Sequence, residues 1–428
     1  MNRRSTLSLL LASTLAGSLA LSACSSDDGE ATPPTGHHED AGAETDGDGD
    51  ADTDAPVETC EIADCEYPAL TLWQEPLLDY IEATKGKLSQ SRLRKSISDL
   101  IVFDDRLYFG YGDADLNAGR VTDILVRYFE SPEATSYAAE ATKTDEEEIA
   151  LFRKFGDSLY IPGVDATEDG WLGNVFTKAS GGELKKHRTV TGGVHVHDIA
   201  VWKGDIYACG SGAPGADEWN TGKVRSYLWR SKDQAESFEA VAEIENVEVG
   251  DRRYVHMIPF PNELLVFGYK TNPEYSIDEL LSDSWDGEKL TKADKVPGYF
   301  IEQTELFDEE TAIVRGVYAL SELRPETLVL KAGEAEATVV EALAEKTVLD
   351  VFVIEPGKAL VLAIEGKVYP LPKKPEGGFE VLYTEDFESF TTLLTSETPA
   401  AHPTALGHWH NGVYVGFANG QIWRSLGE

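Results

Sequence analysis

Pairs of short apolar runs recur along the chain, and a few polar residues separate the two runs of each pair. In the clearest pair, apolar residues 199–202 and 206–209 flank a turn at Lys203-Gly204-Asp205. Two short apolar runs joined by such a turn predict a β-hairpin. Similar pairs occupy residues 97–110, 149–163, 254–268 and 404–416, and weaker ones occupy residues 303–316 and 348–363.

The spacing of these hairpins is regular. One residue of each second run serves as an anchor for alignment: Leu107, Leu159, Ile206, Leu264, Ala312, Ala359 and Val413. Consecutive anchors lie 47 to 58 residues apart. A repeat of about 50 residues with several short strands is typical of a β-propeller, in which each repeat forms one blade. The sequence therefore predicts an all-β fold, a seven-bladed β-propeller of four-stranded antiparallel blades.

The last repeat predicts how the ring closes. It contains apolar segments at 404–409, 413–417 and 421–425, which supply three strands and leave the fourth missing. Propellers avoid exposed edges by combining strands from the two ends of the chain in one blade. We therefore expect residues 67–73 to supply the outer strand of the last blade, and residues 77–87 to contain a short helix.

Composition narrows the class of partner. The chain has 428 residues, of which 42% are hydrophobic, and a formal net charge of −39. Such a field repels phosphate backbones, so nucleic acid is not an expected partner.

The first residues have the pattern of an export signal. Arg3 and Arg4 precede an apolar stretch at residues 7–21, which is short for a membrane span. The segment ends Leu21-Ser22-Ala23-Cys24, which resembles the lipobox of bacterial lipoproteins. The resemblance implies a lipoprotein signal peptide at residues 1–24 and a lipid on Cys24. Because Ser25 and Ser26 follow without an aspartate, it further implies the outer membrane as the destination.

Residues 25–66 predict a disordered acidic linker, since they hold 15 acidic residues, no Lys or Arg, and few large apolar residues. The propeller is then expected at residues 67–428. Export also permits disulfides, and Cys60 and Cys65 bracket a short loop suited to one. Cys209 lies within a predicted strand, where a buried free thiol is the ordinary state.

Three loops rich in Gly and Asp follow the second strands of the first three predicted blades. Each contains an aspartate next to an alanine, and two contain a tryptophan: Asp113, Asp165, Asp217, Trp171 and Trp219. Strands alternate in direction, so these loops should share one end of the propeller with the starts of the first strands. His195, His197 and Asp198 lie at such a start, and we expect all of these residues to form one binding face.

Counting eight residues back from the anchors gives a set of equivalent positions on the first strands: Asp99, Leu151, Asp198, His256, Thr304, Val351 and Ala405. His256 thereby joins the candidate face. His195 and His197 are two residues apart on a strand and so point the same way. With His256 or a loop carboxylate they suggest a site for a divalent metal ion. The alternative is that these polar groups satisfy backbone atoms around the central channel.

A second motif supports the architecture. Residues 227–238 contain Ser231, Asp233, Ser237 and Phe238, with Ala235 where a glycine is usual. The segment resembles the Asp-box, or BNR repeat, of sialidase-like propellers, and partial copies lie at residues 384–390 and 131–137. The resemblance implies a structural role for the motif, in which the aspartate caps a turn. The Arg-Ile-Pro opening of sialidases is absent, so no catalytic role can be transferred.

These features favour a non-catalytic binding or scaffolding module, monomeric and exposed to the periplasm or the cell surface, with a protein or glycan ligand. The alternative is a hydrolase or lyase that acts on glycans from the same His- and Asp-rich face. Because propellers host many functions, the fold alone does not decide between them.

Overall fold

A computed structural model describes residues 60–85, 96–114, 118–168, 170–245, 249–274, 276–319, 323–369, 377–397 and 401–428. The predicted signal peptide, Cys24 and residues 25–59 of the predicted linker lie outside the described residues. Residues 60–66, which we also assigned to the linker, form a turn whose backbone meets the last residue of the chain. Glu66 and Glu428 exchange N–H to O hydrogen bonds of 3.4 and 3.1 Å, so this segment belongs to the folded body.

The chain folds as a seven-bladed propeller, and each blade is a four-stranded antiparallel sheet. The first strands of neighbouring blades contact one another and surround the central channel. In blades 1 to 3 the strands are Leu100–Phe103, Arg106–Phe109, Arg127–Phe129 and Ala138–Ala139; Arg153–Phe155, Ser158–Pro162, Leu172–Ala179 and Lys185–Thr191; and Gly193–Trp202, Asp205–Gly212, Arg225–Ser231 and Glu239–Ile244.

The remaining blades repeat this plan. In blades 4 to 6 the strands are Arg252–Pro259, Leu264–Thr271, Ile277–Trp285 and Leu290–Lys292; Tyr299–Leu306, Thr311–Tyr318, Arg324–Lys331 and Thr338–Val339; and Lys346–Glu355, Lys358–Glu365, Phe379–Thr384 and Thr391–Ser396. Blade 7 takes Pro403–Trp409, Gly412–Phe417 and Ile422–Leu426 from the end of the chain. A two-stranded sheet of Tyr111–Gly112 and Glu148–Ile149 links blades 1 and 2.

The outer strand of blade 7 comes from the beginning of the described chain. Thr71–Gln74 pairs antiparallel with Ile422–Leu426, and Leu72 lies opposite Trp423. The ring is therefore closed by strands from both ends of the chain, as the sequence predicts. The predicted helix follows as Leu78–Ala83, and a second short helix occupies Ala216–Asn220. Single 3-10 turns lie at Ala118–Arg120 and Glu341–Leu343.

Tight turns join the first two strands of several blades. Lys203 and Gly204 both have positive φ, 52° and 87°, as do Asp104 and Asp105, 50° and 55°. Two consecutive residues of this kind form a type I′ turn, whose twist matches that of the flanking strands.

The core is divided among the contacts between blades. Apolar clusters fill these contacts, as between blades 3 and 4, where Trp202, Tyr207 and Leu228 pack against Tyr254 and Val266. Burial of these groups between sheets is the main stabilising contribution, and it couples each blade to its two neighbours.

The two segments that resemble Asp-boxes both form turns held by an aspartate. Asp233 accepts hydrogen bonds from the backbone N–H and the hydroxyl of Ser237, at 2.9 and 2.6 Å. Asp386 accepts equivalent bonds from Ser389, at 2.8 and 3.1 Å. Both aspartates lie between the third and fourth strands of their blades, where they stabilise the connecting turn.

Candidate functional site

Trp171, Trp219, His195 and His197 meet at the end of the propeller where the first strand of blade 3 begins; we call them the tryptophan–histidine face. The Trp171 and Trp219 rings lie 6.0 Å apart at 52°. His195 lies 5.6 Å from the Trp219 ring and 5.6 Å from the His197 ring, with which it is nearly parallel at 18°. All four side chains are partly exposed.

Local chain geometry brings these rings together. Trp219 sits on the helix Ala216–Asn220, within the loop after the second strand of blade 3. Trp171 closes the equivalent loop of blade 2, where its carbonyl accepts a 2.8 Å hydrogen bond from Gly192 N–H just before the first strand of blade 3. The two loops therefore converge on His195, as the alternation of strand direction predicts.

Both histidines of the face are neutral near pH 7. Burial, with the nearby Arg253 guanidinium, lowers the pKa of His195 to about 3. Burial and the neighbouring His195 lower the pKa of His197 well below its ordinary value. His195 Nδ1 lies 2.8 Å from the Val164 carbonyl oxygen, which can only accept, so Nδ1 carries the proton. His195 Nε2 is then an acceptor.

A buried ion pair lies beside the histidines. Arg253 donates through Nε and Nη2 to Asp251 Oδ2, at 3.2 and 2.7 Å, and both side chains are almost fully buried. Asp251 therefore offsets the Arg253 charge locally. Buried charges of this kind need a partner because the loss of hydration is costly.

Some predicted residues join the face and others do not. Asp165 lies 3.8 Å from His195 Nδ1, and Asp217 is exposed on the same helix as Trp219. Asp113 is only 4% exposed, and its backbone N–H donates a hydrogen bond to the Glu147 carbonyl. It therefore cannot form part of an open surface. His256 lies deeper in the channel, where burial lowers its pKa to about 4.

The prediction that Asp198 lies on the face is wrong. Asp198 is fully buried and pairs with Arg153 through bonds of 2.8 Å to Nε and 3.0 Å to Nη2. The physical reason is a β-bulge between Val196 and Asp198, which interrupts the simple alternation of side chains along the strand. His197 occupies the bulge, and Asp198 turns toward the neighbouring blades.

The structure gives no support to the predicted metal site. Within the described part of the chain, no group of three or more His, Cys, Asp or Glu side chains is arranged to hold a metal ion. His195 and His197 stack ring to ring, and the charge of Arg253 lies close enough to depress both of their pKa values.

Arg153 bridges the channel below the face, and sequence reasoning did not single it out. Besides Asp198 of blade 3, its Nη1 donates to Glu305 Oε1 at 2.9 Å and to the Thr304 carbonyl at 2.8 Å, both in blade 5. A blade 2 side chain thus reaches across the ring to blade 5. The only hint in the sequence is a charged residue within an apolar hairpin, a weak signal because the contact spans 151 residues.

Carboxyl groups around this bridge have raised pKa values. Burial raises the pKa of Glu305 to about 7 and that of Asp350 to about 6. Burial and the charge of Asp350 raise the pKa of Asp99 well above its usual range. These carboxyl groups give the inside of the ring a polar lining.

The opposite end of the propeller carries a separate cavity of about 320 Å³. It is lined by Tyr67, His408, His410, Asn411 and residues of the loop between Cys60 and Cys65. Those two cysteines, the predicted pair, are joined by a disulfide bond, and Cys209 is a buried free thiol. No helix within the described ranges is both long and apolar enough to cross a bilayer.

No protein-family model and no curated protein matches the chain. Similar solved structures include the Pan2 WD40 domain of Neurospora crassa, 12% identical over 87% of this chain and 97% of that one, with a TM-score of 0.46. The β-propeller domain of the Trilobed protease from Pyrococcus furiosus is 10% identical over 77% and 96%, with a TM-score of 0.45.

A third similar structure is a polysaccharide lyase, the PL25 ulvan lyase, which is 10% identical over 84% of this chain and 95% of that one, with a TM-score of 0.44. These likenesses assign neither a ligand nor a reaction to this chain.

Proposed function

We propose that this protein is a non-catalytic binding module of the bacterial cell envelope, a lipoprotein whose propeller is anchored through Cys24 and captures its ligand on the tryptophan–histidine face. The observation that carries the proposal is the convergence of two partly exposed tryptophans and two neutral histidines at one loop-rich end. Aromatic side chains that remain partly exposed beside a few polar groups are typical of ligand sites.

The position of the N-terminal segment suits this arrangement. The disulfide loop from Cys60 lines the cavity beside His408, His410 and Asn411, at the hairpin turn between the first two strands of blade 7. The face lies at the other end of the first strands. The strand Gly193–Trp202 has 10 residues, and at about 3.3 Å per residue the two ends are roughly 30 Å apart. An anchor that joins at Cys60 leaves the face free.

Binding is tested by sedimentation with isolated cell-envelope fragments, and every protein is compared in a Cys24→Ala background so that the proposed lipid does not hold it in the pellet. The Trp219→Ala variant removes the ring that contacts both Trp171 and His195. We expect it to lower the fraction retained by at least tenfold. The control is His410→Ala, an exposed histidine at the opposite end, which should be retained like the unmodified chain. Equal retention of all three proteins would refute the proposed site.

Anchoring is tested separately by labelling cells with a radioactive fatty acid. The unmodified chain should incorporate label and fractionate with the outer membrane, and Cys24→Ala should do neither. Label in the Cys24→Ala chain, or none in the unmodified chain, would contradict the lipoprotein assignment.

A further inference from the structure

The chemistry around the tryptophan–histidine face narrows the class of ligand that it can accept. Trp171 and Trp219 offer flat apolar surface, and both rings keep part of it exposed to solvent. A planar apolar surface suits the apolar face of a sugar ring, and ligand sites of this kind add a few placed polar groups that fix orientation.

Hydrogen-bond donors and acceptors both border the tryptophan rings. His195 Nε2 is an acceptor, because Nδ1 carries the proton toward Val164. Asp165, with a quarter of its side chain exposed, adds carboxylate acceptors, and Asp217 adds more at the rim. The Trp219 indole N–H is a donor. Hydroxyl groups donate and accept, so a polyhydroxylated ligand matches this mixture.

The charges around the face disfavour an acidic ligand. Asp165, Asp217 and Glu218 lie along the rim, and Asp251 and Glu168 pair with Arg253 and Arg188, so an acidic ligand would be repelled. Both histidines of the face are neutral and add no charge of their own. Electrostatic matching of this kind contributes strongly to specificity.

We propose that the tryptophan–histidine face binds a neutral saccharide, stacked on Trp219 and Trp171, with its hydroxyl groups on His195 and Asp165. This inference rests on the proposed binding function and specifies its ligand.

The test is calorimetric titration of the full chain with four neutral hexaoses, the β-1,4-glucan, β-1,3-glucan, α-1,4-glucan and β-1,4-mannan oligomers, and with hexagalacturonate and hexalysine as charged probes. We expect at least one neutral hexaose to bind more tightly than either charged probe. Trp219→Ala should weaken binding at least tenfold, Trp219→Phe less than fivefold, and His410→Ala less than twofold.

Several outcomes would overturn this inference. They are tighter binding of hexagalacturonate or hexalysine than of any neutral hexaose, binding that survives Trp219→Ala, or binding of none of the four hexaoses. If the sedimentation assay still shows retention that depends on Trp219, the binding module stands and the neutral saccharide alone is refuted. If the sedimentation assay also retains the Trp219→Ala variant as well as the chain with Trp219, both proposals fail.

Discussion

At the scale of single residues, three aspartates join neighbouring blades in the same way. Asp99, Asp198 and Asp350 each accept a backbone N–H from the first strand of the next blade or from the residue just before it, at 2.7, 2.8 and 2.6 Å. The donors are Phe152, Met257 and Leu406. Each carboxylate satisfies a buried donor that no strand of its own sheet reaches, which stabilises the ring at the level of the channel.

Asp198 has the further task of holding Arg153, and Asp198→Asn tests its contribution. The change leaves the Arg153 guanidinium buried with Glu305 as its remaining carboxylate partner. We expect the free energy of unfolding to fall by about 3 kcal/mol, as is usual when one member of a buried pair is lost. Urea denaturation measures this, with the exposed Asp217→Asn as control. A loss below about 1 kcal/mol would show that the bridge is not structural.

Glu305 predicts a dependence of stability on pH. Burial raises its pKa from 4.5 to about 7, so the folded chain holds this proton more tightly than the unfolded chain does. Its stabilising contribution is complete below about pH 4.5 and is lost as pH rises through 7. Between pH 5 and 8 we expect a loss of roughly 1–2 kcal/mol from this group, discounted because a quarter of the side chain is exposed.

The measurement compares urea denaturation at pH 5 and pH 8 for the unmodified chain, Glu305→Gln and the exposed control Glu288→Gln. Glu305→Gln should be relatively more stable at pH 8 than at pH 5, since it never carries the charge. The buried histidines titrate equally in all three proteins and cancel in the comparison. Identical pH profiles for Glu305→Gln and the unmodified chain would contradict this account.

Residue positions along the first strands were only partly predictable. Counting eight residues back from the anchors correctly identifies Asp99 and Asp198 as equivalent positions on the first strands of blades 1 and 3. In blades 5 and 6 the same count selects Thr304 and Val351. The structure puts Gln303 and Asp350 there, opposite Arg315 and Leu362. In blade 5 the hairpin loop is one residue longer, since Leu306 pairs with Ala312 while Val201 pairs with Ile206. In blade 6 a bulge between Val353 and Glu355 adds the extra residue. Loop length and bulges shift register without altering the apolar pattern.

At the scale of elements, the sequence was most informative about hairpins and closure. Alternating apolar runs at 199–202 and 206–209 correspond to paired strands, and Thr71–Gln74 completes blade 7. Bulges were not predictable, because the residue that occupies one, such as His197, has no distinctive chemistry. The Arg153 bridge was also missed, since it depends on how blades 2 and 5 face each other across the ring.

The closing strand is held by one side chain in particular. The Trp73 ring lies 4.5 Å from Phe129 of blade 1 and 5.0 Å from Tyr414 of blade 7, and Arg424 lies over it at 5.2 Å. Trp73→Ala should therefore lower the free energy of unfolding by about 3 kcal/mol, because it leaves a cavity between two blades.

Leu72→Ala is the matched control for that variant. Leu72 is the neighbouring residue of the same strand and is 46% exposed, so its loss should cost less than about 1 kcal/mol. Thermal unfolding of the two variants side by side makes the comparison. If Leu72→Ala is as destabilising as Trp73→Ala, the closing strand is held by its backbone pairing rather than by Trp73.

At the scale of the whole molecule, the two ends of the propeller differ in character. One end gathers Trp171, Trp219, His195 and His197, and the other carries the disulfide loop at which the predicted linker joins the body. The Arg153 bridge crosses the channel between them. Ligand binding on the face therefore need not involve passage through the ring.

This arrangement predicts an orientation for the anchored protein. A fluorophore attached at Asn411 should lie nearer the bilayer than one attached at Asp217, because Asn411 adjoins the disulfide loop and Asp217 lies on the face. Quenching by labelled lipids in vesicles that carry the lipidated chain should be stronger at Asn411. Stronger quenching at Asp217 would mean that the face points toward the membrane.

The claim that the tryptophan–histidine face captures a ligand is tested most directly by photocrosslinking in cells. A benzophenone amino acid is placed at Leu172, which is 37% exposed beside Trp171, or at Leu78, which is 59% exposed on the helix Leu78–Ala83. We predict an adduct from Leu172 that disappears with Trp219→Ala, and none from Leu78. Equal adducts at both positions, or an adduct at Leu172 that survives Trp219→Ala, would contradict the account.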